Sequence, residues 1–476
     1  MSGSLLSVRH RPLLTRSPAP LTLRAILQLG IFQACLGALS VIFAGMLNRV
    51  MISELAFPGL LVGVALAFEQ FASPARVLFG QLSDSRPIAG RHRIPYVLIG
   101  VVLLGALAVL SIPLIFQVAG LLQAPSQPQL ALAVAALCGL MAGYGLAVSL
   151  ASTPYLALVI DRTDEQARPR ATTIIWSMLT VGIVVGAIAI SLTLRSLDGV
   201  RDPAVLQPAL QAFMVRTSLI VVALTVVATW GMEPVRGQEG GADRAATEPS
   251  LTLSQALDLI RSSRQVLVFF LYLVLFTLGL FLQDPILESY GAEVFGMPIA
   301  ATASLNAFWG VGTLAGLAVA GVWLIPWLGK LAAARLGCRL IAGSLALLIL
   351  AGLAPSVPVL QLAMVLFGLA AGIGTNGALC LMLDLTLPQA AGTFVGLWGL
   401  AQAMSRALGK VFGGGLLDLG RLLPFAEGPF PAFALVLVVE LLVMLAALVL
   451  LGRLNPRRFR EDTGTTLARV IAMEVG

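Results

Sequence analysis

The chain has 476 residues, of which 58% are hydrophobic and only 11% are charged, and its mean hydropathy is +0.95. Soluble domains carry about 25% charged residues, so this composition excludes a soluble globular protein and predicts an integral membrane protein. The net charge of +7 comes from basic residues scattered over short loops and tails. That distribution is typical of membrane orientation signals and not of nucleic-acid binding.

Twelve stretches are apolar and long enough to cross a bilayer as helices, since a span needs about 20 mainly apolar residues. They are residues 25–47, 59–80, 95–118, 130–159, 172–194, 212–232, 266–281, 301–323, 336–354, 358–382, 392–417 and 431–451. Arginines precede the first stretch without a small-residue cleavage site, which favours an uncleaved first helix. The sequence therefore predicts an all-α integral membrane protein with twelve transmembrane helices.

Basic residues lie mostly on one side of these spans. That side holds the N-terminal arginines, the loop 80–96, the stretch 233–264 and the C-terminal tail, whereas the other side has only Arg49, Arg195, Arg201, Arg216 and Arg421. Because basic loops stay inside, we expect the first side and both termini to be cytoplasmic. The same spans suit a cytoplasmic or a thylakoid membrane.

The longest hydrophilic stretch divides the chain into an N-terminal half, 1–232, a linker, 233–264, and a C-terminal half with a basic tail, 265–476. The glycine-rich part of the linker indicates flexibility, and residues 252–264 predict an amphipathic helix on the membrane surface. The glycine pattern of 139–145 resembles that of 368–374. Two parallel six-helix repeats are therefore expected.

A short charged loop between the second and third spans resembles the loop that major facilitator proteins carry at this place. The residues that carry this resemblance are Gly80, Asp84, Arg86, Gly90, Arg91 and Arg93. The spacing before Gly90 is longer than in the common transporter version. Together with the span number and the central linker, this resemblance implies the major facilitator fold with two six-helix halves.

Charged residues at depth mark the candidate site, because they are costly inside a membrane. Glu69 lies near the middle of the second span, Arg406 near the middle of the eleventh, and Lys410 one helical turn further out. In the major facilitator fold these two helices meet at the seam between the halves. We predict a Glu69–Arg406 ion pair there, since an adjacent guanidinium holds the carboxylate ionised. The pair is either a structural clasp or gate, or a ligand or proton site.

A second notable segment, 283–297, follows the seventh span on the non-cytoplasmic side. Its polar residues are Gln283, Asp284, Glu288, Tyr290 and Glu293, and the proline after Asp284 is expected to break the helix. The segment is either an interfacial loop or a docking surface for an amphipathic partner or a large hydrophobic ligand.

The sequence lacks the residue patterns that several kinds of functional site require. There is no phosphate-binding Gly-x-x-x-x-Gly-Lys-Ser/Thr motif for a nucleotide, and the only histidines, His10 and His92, lie outside the spans. No Ser/His/Asp or Cys/His set can be assembled in the bilayer, so enzyme activity is not expected. Cys35, Cys138 and the other two cysteines lie in apolar runs and are interpreted as free, buried side chains.

Four stretches resemble the PucC/LhaA family, the bacteriochlorophyll-delivery branch of the major facilitator superfamily. They are residues 47–55, 91–96, 176–178 and, above all, 283–297, and residues 68–76 resemble the versions of oxygenic phototrophs. Pro285 and Ser289 depart from the family pattern. The resemblance implies that the chain helps to assemble chlorophyll-binding antenna or photosystem proteins, by bringing pigment to nascent apoproteins or by holding those apoproteins.

Chlorophyll or bacteriochlorophyll is the ligand that this resemblance implies, and no nucleotide is expected. Without a histidine in the spans, the chlorophyll magnesium needs another ligand, and magnesium prefers oxygen. Glu69 neutralised by Arg406 is one candidate, and water or a backbone carbonyl would serve equally well. The competing hypotheses are a proton-coupled transporter of a small amphiphile, which would use Glu69 or Asp284, and a pigment-free scaffold for antenna helices.

Overall fold

The computed structural model describes residues 22–123, 127–162, 168–197, 200, 202–233, 264–385, 391–422 and 428–455. These residues are almost entirely helical, and the one isolated β-bridge among them joins Ile88 and Arg91. The predicted linker and its surface helix lie outside the described residues except at their ends, as do the tail arginines after Arg453 and all the N-terminal ones except Arg24. The domain division and the cytoplasmic termini therefore stay predictions.

Among the described residues, each half contains seven α-helices. Those of the first half are α1 (Leu23–Glu54), α2 (Gly59–Phe71), α3 (Ala75–Ser85), α4 (Ile94–Gln123), α5 (Gln127–Arg162), α6 (Arg168–Thr193) and α7 (Pro203–Thr229). Within α1, Ser40–Met46 and Val50–Glu54 have π-helical hydrogen bonding.

The helices of the second half are α8 (Arg264–Phe281), α9 (Leu287–Glu293), α10 (Ile299–Val319), α11 (Lys330–Leu353), α12 (Val357–Leu385), α13 (Ala391–Arg421) and α14 (Phe430–Arg453). After Val319 the chain stays helical through Ala320–Leu324 and Ile325–Leu328.

All twelve predicted spans coincide with helices, but the second is interrupted and the seventh is short. Among the described residues, nine segments are long and apolar enough to cross a membrane, and Gly59–Phe71 and Leu267–Phe281 are shorter apolar helices. The second predicted span divides into α2 and α3 at a turn that contains Pro74, and the seventh ends at a turn that contains Pro285. Proline has no N–H to donate to the preceding turn, which explains both breaks.

Helix packing repeats between the halves. In the first half α1 packs on α6, α2 on α5 and α4 on α7; in the second half α8 packs on α13, α10 on α12 and α11 on α14. The two most extensive helix contacts between the halves join α2 with α13 and α6 with α10, and we call these two contacts the seam. The seam places the second and eleventh predicted spans against each other, as the fold prediction requires.

Glycines allow the backbones of α2 and α13 to touch. A Cβ atom at Gly63 would overlap the Lys410 carbonyl oxygen, and one at Gly414 would overlap the Gly59 carbonyl oxygen. Helices in lipid rely on such small residues for close packing, because no hydrophobic effect drives them together. This backbone contact fixes the depth of α13 side chains relative to those of α2.

Gly63→Ala should therefore destabilise the protein, because the added methyl group has to push α2 away from α13. We expect a loss of about 1–3 kcal/mol, the usual cost of overpacking, measured as unfolding in mixed micelles. Gly139→Ala is the matched control, since a Cβ there meets nothing within 4 Å. Equal stability of the two variants would contradict the close seam.

Candidate functional site at the seam

Glu69 forms an ion pair across the seam with Lys410. The Lys410 Nζ lies 3.6 Å from the Glu69 Oε2, with side chains 6% and 18% exposed. Gln70 donates a long hydrogen bond of 3.4 Å to the other carboxylate oxygen of Glu69. The sequence predicted an ion pair of Glu69 across the seam but chose the wrong base, because Arg406 and Lys410 lie one turn apart on the same face of α13.

The guanidinium of Arg406 lies over an aromatic ring instead. Its central carbon is 4.3 Å from the centroid of the Phe281 ring at the end of α8, a cation–π arrangement. The Arg406 Nε is buried without a hydrogen-bond partner. Asp284, Arg76 and Glu69 lie near enough to Arg406 for their charges to interact with its guanidinium. Arg406 therefore belongs to the same charged group as Glu69 without pairing with it.

The predicted motif loop forms a network within the first half. Arg93 pairs with Asp84 and Asp161, and its Nη1 donates to the Ser83 hydroxyl. Glu233, at the start of the predicted linker, accepts hydrogen bonds from the backbone N–H groups of residues 92–94 at the start of α4. The loop thereby ties α3, α4, α5 and the end of α7 together.

The remaining motif residues serve the turn itself. Gly90 has a φ of 72°, a left-handed conformation that glycine adopts without strain. The backbone of Arg91 bridges that of Ile88, the Arg86 carbonyl accepts from the Tyr96 hydroxyl at 2.6 Å, and Gly80 lies inside α3. The motif residues are thus structural in this conformation.

The predicted outer segment is largely buried, so neither an interfacial loop nor a docking surface describes it. Gln283, Glu288 and Tyr290 are 5%, 2% and 1% exposed, and the Tyr290 hydroxyl donates to the Leu348 carbonyl. Glu293 pairs with Arg421 at 3.0 Å. Asp284 alone of the five predicted residues has an exposed side chain.

The outer segment instead contacts α1 of the other half, at the stretch 47–55 that also resembled the PucC/LhaA family. Asn48 donates to the Asp284 carbonyl at 3.4 Å, and Ser53 donates to Glu293 at 3.1 Å. Arg49, paired with Glu54, donates to Thr302 of α10 at 2.6 Å. Two stretches that carried the sequence resemblance are therefore one polar contact between the halves.

Sequence reasoning missed a helix cap that crosses the seam. Asp418 of α13 accepts from the backbone N–H groups of Gly59 and Leu60, each at 2.7 Å, at the start of α2. A carboxylate there satisfies N–H groups that have no partner within the helix. The absence of a capping side chain at Pro58 was the available signal, although it does not identify which residue supplies the cap.

Residues 46–459 match the family model described as PUCC protein. The chain belongs to the PUCC family. Protein PucC of Rhodovulum sulfidophilum is 30% identical over 417 residues, which cover 87% of this chain and 89% of that protein. The Bacteriochlorophyll synthase 44.5 kDa chain of Rhodobacter capsulatus is 30% identical over 432 residues, which cover 89% and 93%.

Solved structures show that this PUCC-family chain has the major facilitator fold. A bacterial homologue of the human lysosomal transporter Spinster has a TM-score of 0.67 at 14% identity, covering 92% of this chain and 98% of that one. A bacterial homologue of the iron transporter ferroportin has a TM-score of 0.64 at 17% identity, covering 91% and 99%. The predictions of the family and of the major facilitator fold are confirmed, and the chain is a multi-pass membrane protein. The number of twelve transmembrane helices stays a prediction, because nine helices of the described residues are long and apolar enough to span.

A double-mutant cycle tests which base pairs with Glu69. Lys410→Met should lower the free energy of unfolding by about 1–3 kcal/mol, because it leaves a partly buried carboxylate without its cation. Adding Glu69→Gln should recover part of that loss, with a coupling energy of about 1 kcal/mol in mixed-micelle unfolding. The matched cycle of Glu69→Gln with Arg406→Gln should show a smaller coupling energy. A larger coupling energy in that cycle would support the Glu69–Arg406 ion pair that the sequence predicted.

Asp418→Ala should destabilise the seam by about 0.5–2 kcal/mol, the usual cost of losing a helix cap. Asp202→Ala is a control cap within one half, where one carboxylate oxygen accepts from the Ala204 N–H. The measurement is the unfolding midpoint of each variant, compared with that of the wild type. A loss at Asp418 no larger than at Asp202 would contradict a role in joining the halves.

Proposed function

We propose that the chain is a membrane assembly factor that binds (bacterio)chlorophyll or delivers it to light-harvesting or photosystem apoproteins. The observation that carries this proposal is membership of the PUCC family over residues 46–459, together with a relative named for bacteriochlorophyll synthase. The transporter fold of its structural neighbours supports cargo handling over catalysis. We place the protein in a cytoplasmic or thylakoid membrane with both termini cytoplasmic.

The seam residues suit a magnesium tetrapyrrole as cargo. Magnesium prefers oxygen ligands, and Glu69 offers a carboxylate whose contacts with Lys410 and Gln70 are long. The side chain of Glu69 is 18% exposed, and Lys410 balances its charge. Glu69 would hold the chlorophyll magnesium when cargo is bound, with a backbone carbonyl or water as the alternative ligand.

The direct test is the absorption spectrum of the protein purified from a phototrophic host in mild detergent. We expect bound chlorophyll or bacteriochlorophyll in a fixed ratio to protein. Glu69→Gln should lose most of that pigment, because an amide oxygen is a weaker magnesium ligand than a carboxylate. Asp202→Asn, the same kind of change outside the seam, should keep it. If Glu69→Gln lowers only the unfolding temperature, Glu69 is a clasp and not a ligand.

A proton-coupled transporter of a small amphiphile is the second candidate, and similarity to solved transporters favours it. It predicts proton-driven uptake into vesicles that Glu69→Gln or Asp284→Asn abolishes. A pigment-free scaffold predicts a colourless protein that copurifies with antenna polypeptides. Either result without bound pigment would overturn the pigment proposal.

A further inference from the structure

Basic side chains exceed acidic ones in the charged group around Arg406. This group consists of Glu69, Arg76, Asp284, Arg406 and Lys410, which lie at the α2–α13 contact or beside it. Lys410 and Glu69 neutralise each other as a pair. Among these five residues this leaves two guanidinium groups, Arg76 and Arg406, against the single carboxylate of Asp284.

Asp284 does not neutralise Arg406 by direct pairing. No ion pair within 4.0 Å joins them in the described part of the chain, although Asp284 lies near enough for its charge to interact with Arg406. The Arg406 Nε has no hydrogen-bond partner. A guanidinium removed from water without a paired anion is costly, so the seam favours a ligand that brings a negative charge.

Arg406 combines an aromatic contact with an unpartnered donor. Its central guanidinium carbon lies 4.3 Å from the centroid of the Phe281 ring, and its Nε has no hydrogen-bond partner. The N–H groups of a guanidinium form the fork that binds a carboxylate through two parallel hydrogen bonds. Phe281 also packs edge-on against Trp309, with ring centroids 6.4 Å apart, which adds an aromatic wall beside the cation.

We propose that the seam takes its tetrapyrrole as the free acid, with the propionate carboxylate on Arg406 and with Arg76 as the second cation. This inference rests on the proposed function, which supplies the tetrapyrrole. Chlorophyllide carries this carboxylate free, whereas chlorophyll carries it as an ester of a long-chain alcohol. An esterification of the pigment would then follow its release from this chain and precede or accompany its entry into an apoprotein.

A matched ligand pair tests the charge alone. The full chain, in nanodiscs of phosphatidylcholine, is titrated with chlorophyllide and with its methyl ester, and binding is followed by pigment absorption. A charge-assisted hydrogen bond contributes enough to separate the two ligands by about tenfold or more in Kd. We expect the acid to bind that much more tightly, Arg406→Gln to remove the difference, and Arg406→Lys to keep part of it. Arg453→Gln, at the exposed end of α14, is the control and should behave as wild type.

The remaining outcomes distinguish a failure of the free-acid inference from a failure of the proposed pigment function. Equal binding of acid and ester, unchanged by Arg406→Gln, overturns the free-acid inference and leaves the pigment function standing. Binding of neither ligand overturns the pigment function. If Arg406→Gln fails to fold, Arg76→Gln, whose side chain is exposed, should still narrow the difference between acid and ester, and an unchanged difference overturns the inference.

An anionic lipid is the other source of a negative charge. In discs that contain phosphatidylglycerol, the free-acid inference predicts that chlorophyllide still binds more tightly than its ester. Retention of phosphatidylglycerol that depends on Arg406, without any preference for the acid over the ester, assigns the site to a lipid phosphate and overturns the inference.

Discussion

The contact between the backbones of α2 and α13 is the constraint on which the rest of this structure depends. Glycine at position 63 lets the Lys410 carbonyl approach α2, and that approach places the Lys410 ammonium beside Glu69 two turns further along α2. Away from water these charges are poorly screened, so their pairing and any excess of one sign matter more than at a surface. Position 63 therefore affects the electrostatics of the site as well as the packing.

The halves are also joined by polar contacts at the end opposite the motif loop. Asp418 caps α2, Arg49 reaches Thr302, and Ser53 reaches Glu293. The motif loop makes its own contacts within the first half, where Arg93 bridges two acids. In this conformation the two ends of the bundle are thus organised differently, with cross-half hydrogen bonds at one end and a network inside one half at the other.

The fold was largely predictable because hydropathy and the positions of basic residues depend on local sequence. The site was predictable only in part. An acid at mid-span has to find a base, so Glu69 stood out, but the register of two helices more than 300 residues apart depends on where glycines allow contact. An error of one helical turn in this register was enough to assign Arg406, and not Lys410, as the partner of Glu69. The burial of Glu288 was also not predictable from local sequence. Its hydrogen-bond donor, Asn306, lies 2.7 Å away on another helix, so the contact depends on how the two helices pack.

A density map of the protein purified with its native cargo tests the central proposal most directly. The proposal predicts a tetrapyrrole with its ring beside Phe281, its magnesium near the Glu69 carboxylate and an acidic group on the Arg406 guanidinium. Pigment bound only on a lipid-facing surface, or a filled seam that contains no tetrapyrrole, would contradict it.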